Sequence, residues 1–386
     1  MSVQIKCPRF MQVGKNAHQQ VCNIMIDMGC KKPLIITDKT MVELGYVNQI
    51  KQQFNNDFKP LAVFDETIPE PTEASIEAAV ELVKRGQFDC LIAIGGGSPI
   101  DSAKAISVLS VFGGEMQDYK FPHIQKQSGL PIIAIPTTAG TGSEVTKFTI
   151  ITDQETDEKM LCAGPAYVPA AAIIDYTLTL SLPPRITADT GIDALTHAIE
   201  AYVSKKANPF SDSQALAAMK QLAPNLRTVF THGDNEAARE AMMLGSCLAG
   251  LAFSSASVAL VHGMSRPIGA LFHVPHGLSN AMLLPSVTEF SVSSAPKRYA
   301  ECARAMGLAT TETPDETAIK LLLSELKALN HDLHVPTPEQ YGIDRASFFE
   351  KCTIMAEQAI ESGSPGNNPR IASAEEMMVI YQKLWD

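Results

Sequence analysis

Short apolar runs alternate with amphipathic stretches through the first half of the chain. The runs PLIIT (33–37), LAVF (61–64), CLIAIGGG (90–97), PIIAIP (131–136) and AAIID (171–175) are continuous and bounded by turn residues. That is the pattern of strands buried on both faces. Helical patterns lie between them at 41–54, 73–86 and 99–111. Two of these have clear starts: Thr72 follows Pro71 and precedes Glu73, and Ser98 precedes Pro99 at the expected first helical position. Strand–helix–strand alternation predicts a Rossmann-like α/β domain with a mainly parallel sheet. After SLPPR (181–185) the strand pattern stops. A helical pattern then runs to Asp386, with breaks expected at the Pro and Gly clusters 207–209, 263–277, 335–341 and 363–369. We therefore expect an α/β domain over 1–180 and an all-helical domain over 181–386.

Composition narrows the reading. The 386 residues are 45% hydrophobic, ample for two buried cores. Formal net charge is −11, and Lys and Arg form no stripe, so nucleic acid and anionic membrane surfaces are not expected partners. No apolar run approaches the roughly 18 residues of a membrane span. The opening MSVQIKCPRF has no charged segment followed by an apolar stretch, so no secretion signal is expected. Eight scattered cysteines without C-x-x-C spacing read as reduced thiols of a cytoplasmic protein.

Three segments at predicted strand ends have the makings of a phosphate and ribose cradle. AIGGGSPIDSAKAI (93–106) follows a strand, and its glycines let backbone N–H groups approach a ligand at a helix N-terminus. IPTTAGTGSEVT (135–146) places Thr137, Thr138, Thr141 and Ser143 hydroxyls after another strand, unless they bond their own backbone. Asp38, at the end of PLIIT, is either a helix N-cap or an acid that binds the two ribose hydroxyls of a dinucleotide. The usual G-x-G-x-x-G fingerprint is absent.

A second constellation suits a metal. TGIDALTHAIEAY (190–202) carries Asp193 and His197 at i and i+4 on one helix face. VHGMSRPIGALFHVPHG (261–277) holds three of the nine histidines, His262, His273 and His276. Singly, such residues are most often surface or capping groups. Together, one carboxylate and three imidazoles suit Fe²⁺ or Zn²⁺.

With these motifs in place, the chain resembles the iron-containing (group III) alcohol dehydrogenases. The likeness covers essentially its whole length, through GGGSPIDSAKA (95–105), IPTTAGTGSEVT (135–146), GIDALTHAIEAYVS (191–204), HGMSRPIGALFHVPHGLSNAMLLP (262–285) and NNPRIASAEEMMVIYQKLW (367–385). The resemblance implies a dinucleotide domain, a helical metal domain and an active site in the cleft between them. It matches Asp193, His197, His262 and His276 to the metal ligands, for Fe²⁺ and in some members Zn²⁺. Gly96, Gly97 and Ser98 match pyrophosphate contacts; Thr137, Thr138 and Thr141 match the second cofactor loop. Asp38 matches a ribose-binding acid that implies NAD, Lys159 a lysine that reaches the cofactor ribose, and Phe253 a pocket-lining aromatic. The implied activity is hydride transfer between an alcohol or aldehyde, activated by the metal as Lewis acid, and the nicotinamide. A homodimer or larger homo-oligomer acting on a small alcohol or aldehyde is implied as well.

One position departs from the family. Arg266 stands where a histidine commonly relays the alcohol proton, and a guanidinium has no acceptor nitrogen for that task. His273 is the nearest replacement, or else it bonds backbone. Arg266 itself either pairs with Glu200 or Glu289 or binds an anionic group of the substrate. Pro267 is expected to bias it away from helical geometry. Alternatives on the same fold are a dehydroquinate-synthase-like or glycerol-dehydrogenase-like enzyme. Outside enzymology, the alternative is a metal- or nucleotide-binding scaffold without turnover.

Overall fold

The computed structural model describes residues 3–55, 58, 61–155 and 158–385. The chain forms two compact units, one of Gln4–Ser181 and one containing Leu182–Asp386.

In the first unit the strands are β1 (Phe10–Val13), β2 (Pro33–Ile36), β3 (Ala62–Phe64), β4 (Cys90–Gly95), β5 (Ile132–Pro136), β6 (Phe148–Thr152), β7 (Lys159–Ala163) and β8 (Ala171–Ile174). Six make a parallel sheet in the order β1-β8-β5-β4-β2-β3, while β6 and β7 form a separate antiparallel pair. The continuous apolar runs follow from burial on both faces. Leu34, Ile36, Leu91, Ala93, Ile132 and Ala134 enter one apolar cluster. Their alternates Ile35, Ile92, Ile94, Ile133 and Ile135 enter the cluster on the other side.

Helices α1 (Val21–Asp27), α2 (Lys39–Glu43), α3 (Tyr46–Gln52), α4 (Glu73–Gly86) and α5 (Gly97–Phe112) cover the sheet. Helix α4 starts as expected: the Thr72 side chain accepts from the Ser75 N–H in a reciprocal capping box. The stretch 41–54 is two helices, because Gly45 (φ 79°) takes a left-handed turn between α2 and α3. Helix α5 begins two residues before Pro99, with Gly96 as its N-cap, so the glycine turn itself enters the helix. Strand β1 and the β6–β7 pair were not in the sequence pattern. The first is a mostly exposed edge strand, and β6 is only half-buried along its length.

The second unit is helical. Its first five helices are α6 (Pro184–Val203), α7 (Pro209–Thr231), α8 (Glu236–Ala256), α9 (Leu260–Phe272) and α10 (His276–Ser291). The break expected at the Pro/Gly cluster 263–277 falls at its far end, between α9 and α10. Helix α9 runs through Gly263 and Pro267, and the break falls only after Phe272. Packing therefore overrides the loss of one backbone donor, and Arg266 is helical after all. Helices α8 and α9 meet at 103°. Among the described residues no single helix is long and apolar enough to cross a membrane.

Close approach at glycine brings α10 against α6. A Cβ on Gly277 would lie 2.4 Å from the Asp189 carbonyl oxygen, a backbone atom that cannot swing aside. This contact holds the first turn of α10 on α6. Gly277→Ala is expected to lower stability by about 1–3 kcal/mol, the usual cost of overpacking, read as a lower urea midpoint with an unchanged slope.

Candidate functional site: a dinucleotide cradle and a four-residue metal cluster

Parallel pairing of β2, β4 and β5 places their carboxyl ends side by side. Asp38 follows β2, the glycine turn follows β4 and the threonine loop follows β5, the arrangement that open α/β sheets use to bind ligands. Asp38 takes the N-cap role and also lines a cavity. One oxygen caps α2, accepting from the Met41 N–H at 3.0 Å, and the residue also lines a cavity of about 520 Å³ with Gly96, Gly97 and Ser98. Asp65 and Glu66 line the same cavity.

The threonine loop leans on the glycine turn. A Cβ on Gly97 would meet the Thr141 methyl at 2.9 Å, and one on Gly96 would meet the Thr138 methyl at 3.5 Å. The Thr138 hydroxyl is buried with no hydrogen-bond partner among the described residues. Thr137 differs: it is buried, and its hydroxyl points to Met41 Sδ at 3.4 Å. Lys159 donates to Glu70 Oε1 at 2.6 Å, and the Glu70 N–H donates to Ser98 Oγ at 3.3 Å. The lysine is thereby tethered to the glycine turn through one intermediate residue.

In the helical unit, Asp193, His197 and Glu200 occupy i, i+4 and i+7 on α6. His262 lies in the first turn of α9, and His276 opens α10. One ligand atom from each of Asp193, His197, His262 and His276 lies within 4.8 Å of the others. Asp193 is the hub. Its oxygens are 4.0 Å from His197 Nδ1, 3.4 Å from His262 Nε2 and 3.8 Å from His276 Nε2. The His276 side chain is 38% exposed, against 3% for His262 and 6% for His197, so the cluster opens on the His276 side.

Two further residues that sequence reasoning did not place here complete the cluster. Glu200 accepts from His262 Nδ1–H at 2.6 Å and from the backbone N–H groups of Ala259 (2.9 Å) and Val261 (2.6 Å). It fixes the His262 tautomer, with Nε2 toward Asp193, and caps a helix that has no capping side chain of its own. Asn280 donates to Asp193 Oδ1 at 2.7 Å. The only signals for them in the sequence were the spacings i+7 from Asp193 and i+4 from His276.

Electrostatics follow the geometry. Burial works against the ionised Asp193, but His197, His276 and His262 outweigh it and hold the carboxyl well below its ordinary value. Burial disfavours a charged His262, yet Glu200 and Asp193 carry its pKa up to about 9. A second group of possible ligands, Cys30, Asp89 and Cys90, is otherwise engaged: both Asp89 oxygens accept backbone N–H groups, from Lys31 and Lys32.

Phe253 is buried and stacks on the His197 ring, with centroids 4.1 Å apart. Its visible contact is thus with a cluster residue. His273 is exposed at the end of α9 in a left-handed conformation (φ 53°), and its carbonyl accepts from the Tyr341 hydroxyl at 3.1 Å. Among the described residues no hydrogen bond of its ring to backbone is seen. Neither expected salt bridge of Arg266 forms. Glu200 accepts the three donors above, and Glu289 lies 4.0 Å from Lys327. Among the described residues the half-buried Arg266 guanidinium makes no hydrogen bond or ion pair. Burial lowers its pKa, opposed only by the charge of Glu200.

Comparison with known proteins agrees with this architecture. Residues 8–176 match the family model for iron-containing alcohol dehydrogenase, and residues 187–385 match that for the C-terminal part of the Fe-containing alcohol dehydrogenase family. Alcohol dehydrogenase 4 of Saccharomyces cerevisiae is 35% identical over 376 residues, covering 97% of this chain and 96% of the relative. The crystal structure of a 1,3-propanediol oxidoreductase superposes with a TM-score of 0.94 at 32% identity, over all of both chains. The sulfoacetaldehyde reductase of Bifidobacterium kashiwanohense, solved with NAD⁺, gives 0.88 at 27% identity over 100% of this chain and 99% of its own. With matches across both halves, this chain belongs to the iron-containing alcohol dehydrogenase family and is an oxidoreductase acting on alcohols and aldehydes.

Proposed function

We propose that the chain interconverts an alcohol and its aldehyde using NAD(H) and a divalent cation, Fe²⁺ or Zn²⁺, held by Asp193, His197, His262 and His276. The observation that carries this reading is the convergence of one carboxylate and three imidazoles within 4.8 Å, with Glu200 behind His262. The donor set fits the ion: hard oxygen and borderline nitrogen, mostly buried, with an acid outside the cluster orienting one ring. The buried Thr138 hydroxyl and the side-chain-free faces of Gly96 and Gly97 fit a dinucleotide in the same way. When bound, these groups supply Lewis acidity toward the substrate oxygen and a hydride acceptor or donor.

The protein's own residues do the rest. The glycine turn presents backbone N–H groups at the start of α5, where the helix dipole favours pyrophosphate. Asp38 keeps one oxygen for a ribose hydroxyl while the other caps α2. Together with Asp65 and Glu66 it would repel a 2′-phosphate, which supports NAD over NADP. Lys159, tied to the glycine turn through Glu70, is assigned to the cofactor's polar groups. Glu200 and Asn280 hold His262 and Asp193 in one geometry. The reading includes a homo-oligomer in the cytoplasm; all eight cysteines are free thiols, which suits a reducing compartment.

Arg266 narrows the substrate. A partly buried guanidinium one helical turn from His262 feels the charge of Glu200 but, among the described residues, pairs directly with no carboxylate. We assign it to an anionic group of the substrate, a carboxylate, sulfonate or phosphonate, bound through its bidentate fork. With no acceptor atom, Arg266 plays no part in moving the alcohol proton.

Consumption of NADH with a panel of short aldehydes, with and without added Fe²⁺ or Zn²⁺, tests the reading; no consumption with any aldehyde would sink it. Glu200→Gln should weaken metal affinity about 10- to 100-fold, measured by equilibrium dialysis, because it removes the charge behind His262. The wild type should prefer an ω-carboxylate aldehyde to the uncharged aldehyde of equal length. Arg266→His should lose about tenfold or more of that preference in kcat/KM, the weight of one charged hydrogen bond. Equal ranking of the two substrates by both proteins would remove the anionic-substrate assignment.

A further inference from the structure

The N-terminal unit contains a buried cation that none of the chemistry above uses. Lys104 lies on α5, seven residues and about two helical turns beyond Gly97, and is fully buried. Its ammonium donates to Ser143 Oγ (2.8 Å), Thr146 Oγ1 (3.1 Å) and the Phe148 carbonyl (2.7 Å). All three belong to the segment that continues the threonine loop into β6. Asp101, one turn earlier on α5, holds the same segment from the other side. Its carboxylate accepts from Ser143 Oγ (2.5 Å) and the Ile150 N–H (3.2 Å), and its backbone carbonyl accepts from Thr149 Oγ1 (2.9 Å). Lys104 Nζ and Asp101 Oδ1 are 3.9 Å apart.

The chain of contacts leads back to the cofactor turn. The Ser143 N–H donates to Thr141 Oγ1 at 3.2 Å, and the Thr141 methyl occupies the space a Cβ on Gly97 would need. Helix α5 thus carries the glycine turn at its first residue and the anchor of the facing loop two turns later. We infer that Lys104 is a positioning residue for dinucleotide binding: through Ser143 it fixes the distance between the glycine turn and the threonine loop, and so the width of the phosphate cradle. This rests on the cofactor reading proposed above. A cation with no solvent contact is a costly way to hold a loop, and burial pulls its pKa down to about 8 against the opposing charges of Asp101 and Glu144. Its three donors point at fixed acceptors, and that rigidity is what a preorganised ligand cradle requires.

The test compares Lys104→Met, Lys104→Arg, Ser143→Ala and Gly97→Val with the wild type. NADH affinity is read by fluorescence, kcat and cofactor KM at saturating aldehyde, and divalent-metal affinity by dialysis. Lys104→Met and Ser143→Ala should raise the NADH Kd and cofactor KM about tenfold, the effect of one lost charge-assisted hydrogen bond. At saturating cofactor, kcat of Lys104→Met should stay near wild type, as should its metal affinity in the other unit, and Lys104→Arg should recover part of the loss. Ser143→Ala keeps the buried ammonium and its two other acceptors, so it reports even if Lys104→Met fails to fold. If these variants only lower Tm and keep NADH affinity within about twofold, Lys104 is purely structural and the inference falls. If Gly97→Val also leaves NADH affinity unchanged, the cofactor reading fails and takes the inference with it. A weakened Gly97→Val beside unchanged Lys104→Met and Ser143→Ala overturns the inference alone.

Discussion

Glu200 is a carboxylate with 3% exposure that satisfies three donors at once, two at the start of α9 and one on a histidine ring. Burying that charge unpaired would cost several kcal/mol, so the fold must bring the N–H groups to it. Once they are there, α6 and α9 are locked in register and His262 can present only Nε2 to the cluster. Asp193 and His197 ride on the same face of α6, and Gly277 lets α10 bring His276 close. The geometry of four side chains from three helices thus follows from one acid that is itself no member of the four.

The two candidate sites are built on opposite principles. In the α/β unit the ligand-facing groups are mostly backbone and hydroxyl, presented by turns whose small residues permit close approach. Rigidity there has to come from behind, from the Lys104–Asp101 anchor and from sheet pairing. In the helical unit the functional groups are ionisable side chains on regular helices, and rigidity comes from ring stacking and buried hydrogen bonds. His197 lies between Phe253 and His262, with centroids 4.1 and 4.4 Å away, and has little freedom to turn.

What the sequence made legible was local. Strands buried on both faces show as continuous apolar runs, and Asp193 and His197 show as an i,i+4 pair, because both signals lie within a few residues. Strand β1 was invisible because an exposed edge strand of four residues needs no apolar run. The continuation of α9 through Pro267 was misjudged because the proline penalty is local, whereas the packing that overrides it is not. Glu200 was noticed only as a partner for Arg266, and Asn280 not at all. Their roles depend on which helices cross, and no spacing encodes that. The Arg266 salt bridge is absent for a related reason: Glu200, one of the acids it could have met, already accepts three other donors.

Asp38 starts α2 with one carboxylate oxygen and lines the cavity to which the ribose is assigned above. A drift toward phosphorylated cofactors must remove its charge, yet removing its oxygen would leave the Met41 N–H uncapped at about 1 kcal/mol. The short evolutionary paths at this position are therefore asparagine and serine, which shed the charge and keep the acceptor. Alanine or a bulky basic residue would have to wait for a compensating change elsewhere in α2. On the proposed reading, cofactor preference and the stability of a five-residue helix are in this way inherited together.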